Sequence, residues 1–97
     1  MASSRSATAE RREIYYRGNV QGVGFRYTVR QLAAGMAVSG YVRNLADGRV
    51  HLVVEGAPAE LERFQEAIAQ RMAEHIRDVA VDVRPAIGEF SSFEIRH

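Results

Sequence analysis

Two apolar stripes of helical period, each set between runs of alternating residues, constrain this chain most. Phe25, Val29, Leu32, Ala33 and Met36 recur at steps of three and four, and so do Leu61, Phe64, Ile68 and Met72. That spacing puts each set on one face of a helix. Pro58 and Glu60 supply entry signals for the second helix, which should end near residues 73–75. Period-2 patterning marks strands elsewhere. Ile14 and Tyr16 alternate with Tyr15 and Arg17 in residues 11–17, and Val79, Val81 and Val83 alternate with polar or small residues in 79–84. Residues 38–44 and 49–55 form two further runs, joined through Asp47-Gly48, a tight-turn pair. Residues 85–89 read as a loop and 93–96 as a short last strand.

The order of elements is therefore β-α-β-β-α-β with a small strand at the end. It predicts an α+β fold, the ferredoxin-like βαββαβ sandwich, with an antiparallel sheet carrying both helices on one face. In that connectivity the first two strands run the same way and the third lies between them. Their ends then reach one rim of the sheet, roughly 10 Å apart. The first delivers the segment Gly18-Asn19-Val20-Gln21-Gly22-Val23-Gly24-Phe25-Arg26, and the second delivers Asn44.

Three glycines in seven residues, between a strand and a helix, suit an anion cradle. Glycine permits positive φ and close approach, so successive N–H groups can face one oxyanion. The helix start adds unpaired N–H groups and the positive end of its dipole. Arg26 adds a planar, permanently charged fork that matches two phosphate oxygens. The alternative for the segment is a structural loop with Arg26 in a surface ion pair, and Asn44 by itself reads first as a turn residue bonding its own backbone.

With 97 residues, 46% of them hydrophobic, the chain suffices for one domain, placed at residues 11–97, and is too short for a dinucleotide-binding fold. Residues 1–10 lack periodicity and are expected to be a disordered tail. Cysteine is absent and all thirteen basic residues are Arg, which excludes disulfides, thiolate chemistry, Schiff bases and the lysine-bearing P-loop. No apolar stretch reaches membrane-spanning length, so a soluble, cytoplasmic protein is expected. A net charge of +1 with both signs interspersed suggests neither a nucleic-acid nor a membrane surface. His51, His75 and His97 match no metal spacing and read as surface residues. Asp47, Glu55, Asp78, Asp82 and Glu94 read as turn or solvated-face residues.

The stretch from Gly18 to Arg26, followed by Gly40-Tyr41-Val42-Arg43-Asn44 and by Phe93-Glu94-Ile95-Arg96, closely resembles the acylphosphatase family from about Ile14 to the end. Asn19, where the family commonly has Arg, and His97, where it usually has Tyr, depart from its pattern. The resemblance implies hydrolysis of acyl phosphates to a carboxylate and inorganic phosphate, by a monomer without metal, cofactor or covalent intermediate. It assigns phosphate binding and catalysis to Arg26, positioning of the attacking water to Asn44, and the cradle to the backbone of Asn19, Val20, Gln21, Gly22, Val23 and Gly24. Two other uses of the same architecture stay open at this level. One is a non-catalytic anion-binding or regulatory module, which would bind phosphate without turnover. The other is RNA binding on the open sheet face through Tyr15, Tyr16 and Tyr41.

Overall fold

The computed structural model describes residues 9–97. Its elements are β1 (Glu10–Gly18), α1 (Phe25–Ala34), β2 (Val38–Asn44), β3 (Val50–Gly56), α2 (Pro58–Arg71), β4 (Ile76–Pro85) and β5 (Phe93–Arg96). Most of the expected tail, residues 1–8, lies outside the described part. Glu10 does not belong to a tail: it opens β1 opposite Gly56 and Pro85. β4 begins three residues earlier than its valine alternation suggests, because β1 pairs with it along its whole length, ending at Gly18 opposite Ile76.

The sheet has the order β4-β1-β3-β2-β5. β1 and β2 both run antiparallel to β3 between them, so they are parallel to each other and end at one rim, as expected. β5 adds a parallel pairing with β2, which makes the five-stranded sheet mixed. It therefore ends at the same rim, with Arg96 opposite Arg43.

Cross-strand partners share a face, and the register sorts the side chains accordingly. Tyr16, Val50 and Asn44 stand level, as do Ile14, Leu52 and Val42. This face packs under the helices, whose Phe25, Val29, Ala33, Leu61, Phe64, Ile68 and Met72 complete the core. Tyr16, offered above as a candidate for the open face, is only 2% exposed and lies with its ring 4.9 Å from that of Phe25. Burial pushes its phenol pKa well up from the ordinary value, so it stays neutral.

The opposite face is less open than alternation implies. The segment after β4 folds back across it: Glu55 accepts hydrogen bonds from the backbone N–H groups of Ile87 (2.9 Å) and Gly88 (3.0 Å), and Phe90 meets Tyr41 edge to face. Glu55 is consequently buried rather than solvated, at 5% exposure. His51, at 4%, is also buried instead of lying on the surface. Tyr15 stacks on its ring at 4.5 Å, and Arg43 Nε donates to its Nδ1 at 3.2 Å. Tyr15 and Tyr41 are further capped by Arg49 and Arg96, which lie 4.8 and 3.9 Å from the respective ring centroids. The aromatic faces that an RNA strand would need are thus occupied by the protein's own cations.

Burial holds the imidazole pKa of His51 below its ordinary value, and repulsion from Arg43 lowers it further, against the weaker pull of Glu13. The unfolded chain therefore takes up this proton more readily than the folded one. Stability from neutral His51 is complete above the unfolded pKa of about 6.5 and is lost as pH falls through the lower folded value. Thermal melts from about pH 7 down to pH 5 should show a falling Tm, with a shallower slope in His51→Gln. An unchanged slope in that variant would remove His51 as the cause.

Candidate active site

At the rim shared by β1, β2 and β5, the chain closes a cavity of about 510 Å³ lined by Val20, Gly22, Gly24, Phe25, Arg26, Tyr27, Arg30, Asn44, Glu94, Ile95 and His97. Of the residues expected from sequence, Val20, Gly22, Gly24, Arg26 and Asn44 meet there. Three elements separated along the chain bring them together: the loop after β1, the first turn of α1 and the last residue of β2.

The loop conformation needs its glycines. Gly22 and Gly24 have φ of 78° and 80°, a left-handed region in which a side chain costs roughly 1–2 kcal/mol. Gly24 is also the N-cap of α1. Being glycine, it offers no side-chain cap, and no acidic residue stands in the first turn. α2 shows the contrasting design, with Pro58 at its start, Glu60 in its first turn and Arg71 in its last. Arg26 places a cation at the positive end of the α1 dipole, where a cation is disfavoured by a few tenths to about 1 kcal/mol. A bound anion relieves both the uncapped N–H groups and this repulsion.

Among the described residues, the backbone N–H groups of Val20, Gln21, Gly22, Val23 and Gly24 donate to no protein acceptor. Asn19 is the exception within the expected cradle. Its N–H donates to the carbonyl of His75 at 2.9 Å, which anchors the loop and narrows the set of available donors to residues 20–24. The side chain of Val23 packs against the core, and that of Val20 is part of it. Gln21 points elsewhere: its Nε2 donates to the carbonyls of Leu45 (2.8 Å) and Arg49 (3.0 Å).

Asn44 does not serve as the turn residue that sequence left possible. The hairpin is closed by Leu45 N–H to the Arg49 carbonyl at 2.8 Å, by Gly48 N–H to the Leu45 carbonyl at 3.2 Å, and by Asp47 Oδ1 accepting from Arg49 N–H at 3.1 Å. The carboxamide of Asn44 makes no hydrogen bond among the described residues and lies at the cavity wall.

The guanidinium of Arg26 rests against the end of the chain. Its Nη1 donates to the Arg96 carbonyl at 3.4 Å, and the same atom lies 3.3 Å from His97 Nδ1. These are long, weak contacts to a neutral carbonyl and an imidazole, with no carboxylate partner among the described residues, so the fork keeps capacity for an anion. His97, read above as a surface residue, is therefore also a neighbour of the candidate catalytic cation. The α1 period could have flagged Arg30, one turn beyond Arg26; only the parallel pairing of β5 could have flagged His97.

Among the described residues no group of three His, Cys, Asp or Glu side chains is placed to hold a metal, and no helix is long and apolar enough to cross a membrane.

The acylphosphatase family model matches residues 12–95. The acylphosphatase of Archaeoglobus fulgidus is 41% identical over 87 residues, which are 88% of this chain and 96% of that protein. That of Aeropyrum pernix is 43% identical over 89 residues, 90% and 88% of the two chains. Among solved structures, the acylphosphatase from Bacillus subtilis superposes with a TM-score of 0.81 at 31% identity, covering 91% of this chain and 99% of its own.

Proposed function

The chain belongs to the acylphosphatase family and is a hydrolase of acyl phosphates; from that premise we propose that Arg26 and the 20–24 backbone hold the phosphoryl group while Asn44 directs the attacking water. The observation that carries this is the single cavity in which Gly22, Gly24, Arg26 and Asn44 converge.

A phosphoryl group leaving a carboxylate passes through a loose transition state whose charge sits on the equatorial oxygens. Catalysis then calls mainly for positioning and charge stabilisation. N–H groups of the loop and the first turn of α1 meet those oxygens from one side, and the guanidinium fork meets them from another. Asn44 orients a water opposite the bridging oxygen. The water oxygen forms a bond to phosphorus as the bond from phosphorus to the carboxyl oxygen breaks, and the carboxylate leaves with that electron pair. A carboxylate is a good leaving group and needs no strong acid. A phosphate oxygen of the substrate accepts the water's proton, a step that calls on no side-chain base.

In this mechanism no metal takes part, and the acting species is the monomer, in the cytoplasm. Completeness of the site within one chain supports the monomer. Release of inorganic phosphate from benzoyl phosphate, followed with and without a chelator and across pH, tests the mechanism. We expect turnover insensitive to chelation and kcat/KM without a step from a protein group near neutrality. Loss of activity on chelation would refute the metal-free mechanism, and such a step would refute substrate-assisted proton transfer.

A further inference from the structure

We infer that the side chain of Gln21 is a positioning residue for the reaction, holding the phosphate loop and the water-directing Asn44 at a fixed separation. The inference rests on the roles proposed for the loop and for Asn44.

The two halves of the site belong to segments that are not hydrogen-bonded neighbours, because β3 lies between β1 and β2. The ladder sets the two strand ends, with Tyr16 and Asn44 both level with Val50, but the loop residues 19–24 lie beyond it. Gln21 spans that gap. Both hydrogens of its amide are used, one on the carbonyl of Leu45, the residue after Asn44, and one on the carbonyl of Arg49, its partner across the turn. Each carbonyl already accepts one backbone N–H within the hairpin, from Gly48 and Leu45 respectively. With the Gln21 amide both carbonyls accept two hydrogen bonds, the usual capacity of a carbonyl oxygen. A planar amide donating to two fixed carbonyls restrains both distance and orientation, as one flexible contact would not.

The chemical class of the group matters. Two acceptors demand two donors in one plane, which an amide has and a carboxylate lacks. Glutamate at this position would set an anion against two carbonyl oxygens and push the hairpin mouth away from the loop. Phosphate binding should tolerate that displacement, since residues 20–24 and Arg26 belong to the loop and helix side. Attack by water should not, because a misplacement of about 1 Å can cost as much as 10²-fold in rate.

The test compares Gln21→Ala and Gln21→Glu with the unaltered chain, reading kcat on benzoyl phosphate and the competitive inhibition constant of inorganic phosphate, both also in an Asn44→Ala background. Circular dichroism and thermal melts confirm that each variant is folded. The expected result is a kcat lowered roughly ten- to hundredfold with the inhibition constant within about twofold, and no further loss of kcat when Gln21→Ala is combined with Asn44→Ala. Unchanged kcat in both single variants, a parallel loss of phosphate affinity, or full additivity with Asn44→Ala would overturn the inference. Full kcat in Asn44→Ala alone would instead refute the proposed role of Asn44, so the two failures are distinguishable.

Discussion

Arg26→Ala is expected to lower kcat/KM for an acyl phosphate by at least about 10²–10³-fold, which corresponds to about 2.7–4 kcal/mol of transition-state stabilisation. The size follows from the position of the guanidinium. It is a permanent cation at the uncapped start of α1, its partners among the described residues are a carbonyl at 3.4 Å and an imidazole nitrogen at 3.3 Å, and it lines the same cavity as the glycine loop. Removing it deletes the fork that meets charge as the phosphoryl group loosens, and it also weakens ground-state phosphate binding, so inhibition by inorganic phosphate should weaken too. Stability should change little, because long contacts to a carbonyl and an imidazole at a half-exposed site contribute little, and removing a cation from a helix N-terminus is mildly favourable. Arg26→Lys keeps the charge without the fork and should recover only part of the loss. Steady-state kinetics with a thermal melt on each variant checks these outcomes, and wild-type turnover in Arg26→Ala would refute the assignment.

Asn44→Ala separates binding from chemistry. Its carboxamide stands at the end of β2 on the helix-covered face, level with Val50 and Tyr16, and the adjoining turn is closed without it. The variant should therefore fold normally and bind inorganic phosphate with unchanged affinity. Its kcat should fall by about 10²–10³-fold, the magnitude of losing one preorganised polar group at the reacting centre. A loss confined to kcat distinguishes a group that acts on water from one that grips phosphate. Equal losses in kcat and phosphate affinity would make Asn44 a ligand for the phosphoryl group instead.

Much of this site was legible in the chain because it depends on local order. A glycine segment between a period-2 run and a period-3.6 run has few places to go, and the β-α-β-β-α-β order brings its end and Asn44 to one rim before any coordinates are known. What escaped reading depends on contacts distant in sequence. Glu55 and His51 alternate onto the face opposite the helices and look solvated. They become buried because residues 86–90 return across that face to meet Glu55, and because Tyr15 and Arg43 from two different strands enclose His51. His97 reaches Arg26 only through the parallel pairing of β5 with β2, which a four-residue strand does not announce. Asn19 is part of the cradle by position, yet its N–H is spent on His75, and Gln21, singled out for its backbone, also bonds the hairpin through its side chain. Backbone donors and side-chain reach are invisible to residue type alone.

Titration of the isotope-labelled protein with inorganic phosphate, observing backbone amide and arginine side-chain resonances by NMR, probes the proposed cradle directly. Saturable shifts should concentrate in the amides of residues 20–26 and the Arg26 guanidinium, persist in Asn44→Ala and collapse in Arg26→Ala. Shifts centred on another surface, or a loop whose amides stay unperturbed at saturation, would contradict phosphate binding at this rim.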